Sequence, residues 1–409
     1  MPRSMAMRMI SPGNINSINN ADAMKVVPLL LSLCLIPGSV LFAQSEKNWS
    51  DNARWKEAKY GPWGGPGVDP APGPMDKLLL KDYAPRSSVV SGMTVLPKAK
   101  FPAIDVHTHV VAETPGEVAE WVKTMDEVGI KTSVVLTDAT GADFDSLADL
   151  YLKPYPDRFI LFCGMDKTDI DKPDYSARIV AELVRCYKKG ARGVGEWTDK
   201  GLGYTTDSTI TADKRLHPDD FRLDPFWEKC AELKIPVNIH VSDHPSNWTP
   251  LDVYQERTPD YQHFNRYGKD GLSYEELLEV RNRMLKKHPK TTFIACHLAN
   301  EGNDLERLSK LLETYPNLYL DISARDYEIG RTPRAALKFF SKYPGRVLFG
   351  TDMGREKSMY QAWWRLLESE DEFMVGRIWW RYYGLALPSA VLKAMYNGNA
   401  NRILNWKKL

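Results

Sequence analysis

The chain has 409 residues, 43% of them hydrophobic, and its 54 Lys and Arg against 53 Asp and Glu leave a net charge of +1. A chain of this size can bury a large core, and one closed barrel of about 250 residues is a normal single-domain solution. The near-neutral balance gives no electrostatic reason to expect nucleic acid or an anionic membrane as partner, so a small molecule is the expected ligand.

Met24-Lys25 is followed by the apolar run Val26 to Phe42 and then by Ala43-Gln44. A charge, a greasy core and a small-residue boundary make the pattern of a secretory signal peptide over residues 1–43, cleaved after Ala43, and predict export to a periplasm or to the medium. Met24 is itself a candidate start. Pro28, Pro37 and Gly38 interrupt the run, so no stable membrane span is expected once the signal is removed. Residues 44–100 include GPWGGPGVDPAPGP, which cannot hold a ladder or a helix and reads as an extended N-terminal arm. Cys34 lies in the signal. Cys163, Cys186, Cys230 and Cys296 fall in strand or helix patterns, which is packing behaviour rather than a disulfide framework.

From Phe101 onward apolar runs and amphipathic stretches alternate. The strands expected are Ala103–His107, Thr132–Leu136, Phe159–Gly164, Gly193–Trp197, Val237–Val241, Thr292–His297, Leu318–Ile322 and Val347–Gly350. Helical periodicity predicts Pro115–Val128, Tyr175–Lys189, Pro225–Leu233, Ser273–Lys287 and Leu305–Thr314 between them. Eight strands alternating with helices argue for an α/β fold, a (β/α)8 barrel of the TIM type, as a single catalytic domain over residues 101–409. An open doubly wound sheet is the alternative; the first strand is not followed by a Gly-rich phosphate fingerprint. The connections after strands four and five, Thr198–Asp224 and Ser242–Leu272, are long. The second carries Trp248, Tyr254, Tyr261, Phe264 and Tyr267, with His244 and His263, and reads as pocket or lid or as a packing surface.

Strand ends of such a barrel meet at one face, and this chain places His107, His109, Glu196, His240, His297 and Asp352 there in order. His107 and His109 are two apart, so both leave one face of a strand and can reach one ion. Asp105 shares their parity and is placed to orient a ligand or to bond backbone. His240 and His297 close otherwise apolar runs, where an imidazole needs a partner, and a cation supplies one. Asp352 closes RVLFGTD and can complete a metal shell while taking a proton from water. Glu196 is open to bridging two cations, ligating one, or pairing with an arginine such as Arg192. Arg325 and Arg355 follow strands seven and eight and are candidates to clamp a substrate carboxylate. Trp248 and His244 are further candidates for substrate contact.

DVHTH on strand one, a His on each of strands five and six, GTD on strand eight and the phrase YNGNANRIL resemble the amidohydrolase superfamily, in particular the amidohydrolase-related branch that includes the aminocarboxymuconate-semialdehyde decarboxylase group. The resemblance spans Phe101 to Leu404. It implies that His107, His109, His240 and Asp352 bind a divalent metal, usually zinc, that His297 polarises the substrate or binds a second ion, and that Asp352 shuttles the proton. No Lys stands at the end of strand four, so the carbamylated lysine of the urease-like branch is absent; GVGEW instead resembles the GEIGLD phrase of TatD-type deoxyribonucleases, whose Glu bridges two metals.

The leading expectation is a metal-dependent hydrolase in which an activated water attacks an amide, lactone or related carbonyl, with His297 stabilising the oxyanion and Asp352 managing the proton. The alternative is a metal-dependent non-oxidative decarboxylase of a small organic acid. A nuclease and a non-catalytic binding protein are weaker readings. One or two ions, and association into a homo-oligomer, are left open.

Overall fold

The computed structural model describes residues 73–204, 210–252, 255–256, 264–378 and 380–404. The signal pattern, most of the Pro/Gly-rich arm, Tyr254, Tyr261 and His263 lie outside the described residues. The chain divides into two units, residues 1–83 and 84–409. The described residues of the first contain short turns at Pro74–Lys77 and Leu80–Asp82. The second unit begins with Ala84 and holds the barrel, and Thr94 is tied to it by hydrogen bonds from its backbone and hydroxyl to Asp371.

Each apolar run of the sequence forms a strand. In order these are β1 (Ala103–Thr108), β2 (Ile130–Leu136), β3 (Phe159–Cys163), β4 (Gly193–Asp199), β5 (Val237–Val241), β6 (Phe293–Ala295), β7 (Leu318–Asp321) and β8 (Val347–Leu348). Every strand pairs in parallel with the next. The ring closes where Val106 N–H donates to Phe349 O at 2.9 Å and Asp352 N–H donates to His107 O at 2.8 Å. Gly350 permits that approach, since a Cβ there would stand 2.9 Å from His107 Cβ. The crossovers are α1 (Pro115–Val128), α2 (Gly141–Tyr151), α3 (Tyr175–Lys189), α4 (Asp224–Leu233), α5 (Tyr274–Lys287), α6 (Leu305–Thr314), α7 (Asp326–Ile329), α8 (Pro333–Lys342) and, after β8, α9 (Lys357–Glu368). The fold is a (β/α)8 barrel, as the alternation predicts.

Helix ends follow local chemistry. Thr114 and Glu117 form a reciprocal capping box at α1, Pro115 occupies the first turn where its missing N–H costs nothing, and Gly129 ends the helix at φ 90°. Ser273 and Glu276 repeat the box at α5. Val118, Trp121, Met125 and Val128 then face the barrel from α1 at helical spacing.

The barrel wall sorts its side chains into two cores. Val135, Leu161, Ile239 and Leu320 point outward and pack among helix residues such as Trp121, Ile179 and Leu311. Ile104, Val106, Leu136, Phe162, Ile294 and Leu348 fill the interior together with Ala400 and Leu404 from the end of the chain's last described helix. That helix sits at the N-terminal mouth, because Asn397 donates to Pro102 O and Asn399 donates to Val347 O. One end is therefore plugged with hydrocarbon, and the polar interior is confined to the opposite rim.

Three register shifts break simple alternation, the first on β2, where Ile130 and Thr132 pair with the consecutive residues Ala103 and Ile104. On β1 the pairing runs Asp105 with Ser133 and Thr108 with Val135, three steps against two; on β4 it runs Val194 with Val237 and Trp197 with Ile239, again three against two. Each is a β-bulge, which turns the following side chains onto the other face.

Candidate metal centre

The bulge on β1 separates two residues that parity would place together. Asp105 faces the helices, where it accepts from Thr351 N–H at 3.0 Å, Thr351 Oγ1 at 2.7 Å and Tyr360 OH at 3.2 Å. His107 turns into the barrel. Asp105 therefore contacts the ligand only through His107 N–H at 3.2 Å and does not hold its ring. The bulge on β4 does the same for Glu196: Trp197 stays in the outer core while the Glu196 carboxylate enters the rim. On β5 regular alternation suffices, with Val237 and Ile239 outside and Asn238 and His240 inside.

Six side chains meet at this rim, all of them expected from the sequence. Glu196 Oε1 lies 2.8 Å from His240 Nδ1, 3.5 Å from His297 Nε2 and 3.7 Å from His107 Nε2. Asp352 Oδ1 lies 3.0 Å from His109 Nε2 and 3.6 Å from His107 Nε2, and its Oδ2 is 3.7 Å from His297 Nε2. His107, His240 and His297 are buried, whereas His109 and Asp352 reach the open side.

The far nitrogen of each buried ring is held by an acceptor. His107 Nδ1 stands 3.1 Å from Asp321, His240 Nε2 3.2 Å from Asp243, and His297 Nδ1 2.8 Å from the carbonyl of Ser323. Such partners fix the tautomer, so in the neutral rings the remaining nitrogens present lone pairs to one another and to Glu196 and Asp352. His107 Nε2 is buried with no hydrogen-bond partner. Lone pairs and carboxylate oxygens converging on one small volume repel unless a cation lies among them, and this donor set fits a divalent metal.

The electrostatics give the same answer. Burial pushes the His107 imidazole down, but Asp321, Asp352 and Glu196 outweigh it and lift the group to about 10. Burial alone would raise Glu196, yet His240, His297 and His107 hold it well below the usual carboxylate range; Asp352 is likewise lowered, against burial, by His107, His109 and His297. His297 falls to about 4 because it is buried and faces His240 and Arg325. The rim thus keeps carboxylates charged and draws positive charge to itself.

His297 reaches this place on an unusual backbone. His297, Leu298, Ala299 and Asn300 have φ of 58, 52, 56 and 56°, one left-handed turn after β6. Each non-Gly residue there costs about 1–2 kcal/mol, and only Asn is at ease. The turn is over-determined: Asp321 accepts from His297 N–H at 3.1 Å, buried Arg281 donates to Ala299 O at 2.9 Å, and Asn300 Nδ2 donates to Val241 O and Ser242 O.

Above the rim opens a cavity of about 270 Å³ bordered by Lys200, Asp243, His244, Phe264, Arg325, Tyr327 and Arg377 as well as His240, His297 and Asp352. Arg325 is buried, donates to Asn300 Oδ1 and lies 5.8 Å from the Tyr327 ring, with Arg377 5.1 Å from the same ring. His244 lines the cavity with Nε2 3.6 Å from Glu328. Arg355 turns away, donating to Glu117 O on α1 at 2.5 Å. Trp248 also points elsewhere: its indole N–H donates to Leu272 O and its ring packs on Tyr274, so it braces the long loop. Neither borders the cavity.

Several residues of the site escaped the sequence reading. Asp321 is the main one: its carboxylate collects His107 Nδ1, Asn238 Nδ2, the N–H of His297 and of Ser323, and the Ser323 hydroxyl. The available signal was an acidic residue closing the apolar run NLYLD, as Asp352 follows the run of β8. Asp243, Lys200, Arg377 and Cys296 carried no comparable mark.

Fold and rim together define a barrel of the amidohydrolase kind. The family model described as amidohydrolase matches residues 104–406, and the chain belongs to that family. Among solved structures, the chain is similar to an uncharacterised TIM-barrel protein from Bordetella bronchiseptica (18% identity, 74% of this chain and 98% of that one, TM-score 0.46). It is also similar to a 2,6-dihydroxybenzoate decarboxylase from Rhizobium (17%, 75% and 99%, 0.46). A third is a 5-carboxyvanillate decarboxylase from Novosphingobium aromaticivorans, complexed with manganese and 4-hydroxy-3-methoxy-5-nitrobenzoic acid (15%, 77% and 100%, 0.45). No curated protein matches the sequence.

Proposed function

We propose that this protein is a metal-dependent enzyme acting on a small organic acid, and that it removes a carboxyl group as carbon dioxide without oxidation. The observation that carries the reading is the cavity wall, where Lys200, Arg325 and Arg377 stand beside Phe264 and Tyr327 directly above the His and carboxylate rim. Decarboxylation leaves the electron pair of the broken carbon–carbon bond on the substrate, and fixed positive groups around a dry pocket stabilise that charge. A bound divalent ion, zinc by default, supplies Lewis acidity to a substrate oxygen. His107, His109, His240 and His297 with Glu196 and Asp352 make up the donor set from which its ligands would be drawn. Phe264 and Tyr327 offer flat apolar contact to an unsaturated acid. Asp352, ionised and open to the cavity, takes a proton from a substrate hydroxyl or from water and returns it to the carbon that has lost its carboxyl.

Hydrolysis remains the second reading, favoured by the same ionised Asp352, which is equally suited to accept a proton from an attacking water. A panel of hydroxylated aromatic acids, enolic acids, lactones and amides separates the two. Trapped carbon dioxide, with deuterium from heavy water at the vacated carbon, is the expected result. A new acid from a lactone or amide, with no carbon dioxide from any acid, overturns it in favour of hydrolysis. The signal pattern at residues 1–43 supports action outside the cytoplasm.

A further inference from the structure

A second cavity adjoins the one above the rim. It measures about 460 Å³ and lies between the segment 93–96, α9 and a hairpin of β9 (Met374–Val375) and β10 (Arg381–Tyr382). The segment is fastened across the helix: Thr94 donates to Asp371, and Arg365 on α9 donates to Gly92 O and pairs with Asp371. At about 270 Å³ the rim cavity falls short of the roughly 300–1,000 Å³ usual for small-molecule sites, whereas the second lies within that range. A substrate larger than a compact acid has to extend beyond the rim.

The two cavities meet at Arg377, which follows β9 and borders both. Consecutive residues fall on either side of the divide: Asp352 and Tyr327 border the rim cavity, Met353 and Asp326 the second one. Arg377 Nε donates to Asp326 at 2.9 Å, and Arg377 also donates to Ala324 O at 2.7 Å. The arginine side chain is 37% exposed, and an ion pair open to water to that degree is weak enough to part.

The linings are chemically opposite. Lys200 and Arg325 stand over the rim, while Met93, Met353, Met359 and Met374 with Trp363 and Leu366 line the second cavity. Unbranched thioether side chains adapt to a flexible apolar occupant better than branched aliphatic ones do. Met93, Val95 and Val375 at its edge are 70, 71 and 80% exposed, an apolar border of the kind that marks a ligand groove.

We propose that the substrate is an amphiphilic acid, with an unsaturated head over the rim and an unbranched hydrocarbon tail that passes Arg377 into the methionine-lined cavity. This rests on the reading of the rim as a site for an organic acid and adds the tail. Charge and apolarity are sorted to match such a molecule: the cationic groups surround its carboxyl end, and thioether and hydrocarbon surround the rest.

The test uses the full chain loaded with zinc and a series of salicylic acids that carry an unbranched chain, methyl to nonyl, beside the carboxyl. Binding is read by isothermal titration calorimetry, with carbon dioxide release in parallel. Affinity should rise by up to about fourfold for each added methylene and then level off. Ala362 on α9 and Val95 both border the cavity from exposed positions, so Ala362→Trp fills the space and Val95→Asp sets a charge at its edge without disturbing the core. Each variant should keep its metal content and its affinity for the methyl homologue, and bind the longest homologue about tenfold or more weaker. Affinity that does not depend on chain length, or a rise that survives in either variant, overturns the proposal. So does a dimer in sedimentation that Ala362→Trp dissociates while chain length has no effect, which would give this face to a second copy. A rise lost in both variants, with no carbon dioxide from any homologue, would sink the decarboxylase reading alone. Carbon dioxide from the short homologues with no gain from the tail would sink this one alone.

Discussion

Strands β1 and β4 deliver their metal-type residues through bulges, whereas β5 and β7 deliver theirs by plain alternation. On the bulged strands a side chain's direction cannot be counted from its neighbours: Asp105 faces helices while His107 faces the interior. On the regular strands it can, and Asn238 and His240 share a face, as do Tyr319 and Asp321. The kinked strands supply His107 and Glu196, whose ring nitrogen and carboxylate oxygen face each other at the rim. The straight ones also supply Asn238 and Asp321, which hold those donors still.

The largest effects should come from the donors themselves. Chelation is expected to abolish turnover, and Asp352→Asn to lower it by about 10²–10⁴-fold while metal remains bound, because the substitution removes the proton acceptor more than the ligand; elemental analysis beside steady-state rates checks both. Next comes the regular strand. Asp321→Asn should weaken metal binding by about 10–100-fold, since it loosens His107 through its ring and His297 through its backbone, and a competitive chelator titration reads this. An unchanged affinity would mean that the bulge alone fixes His107.

Gly350→Ala should cost about 1–3 kcal/mol in denaturant unfolding, as the new methyl meets His107 Cβ where the ring closes. The smallest effect on the metal centre belongs to Asp105, on the outer side of the bulge. Burial, partly offset by Thr351 and His107, raises its carboxyl from 3.8 to about 7. The folded protein therefore keeps a proton that the unfolded chain has released, and the stability this group contributes is present below 3.8 and falls as pH rises towards about 7. Asp105→Asn should flatten that part of the pH–stability curve and leave metal content unchanged; loss of metal would show that the two faces of β1 are coupled.

The comparison also explains what could be read in advance. Eight apolar runs with helices between them, and an ordered series of His and carboxylate residues at their ends, were legible because each obeys a local rule of period or position. That Asp105 bonds backbone was one of two readings and holds, but the face it takes was not legible, because a bulge is decided by pairing with β2 and leaves no trace in the spacing of DVHTH. Nor were the orientations of Arg355 and Trp248: both sit in active-face loops, but their directions depend on Glu117 and Leu272, distant in sequence. Asp321 was within reach, as an acid ending an apolar run.

The floor of the barrel has a temporal implication. Its interior is sealed by Ala400 and Leu404 against Ile104 and Val106. His107 emerges from the ribosome long before Asp352, and the residues that exclude water beneath it later still. A nascent chain therefore cannot assemble the complete ring, and a C-terminal truncation that removes Leu404 would unseat the earliest strand while leaving all six rim residues in the polypeptide.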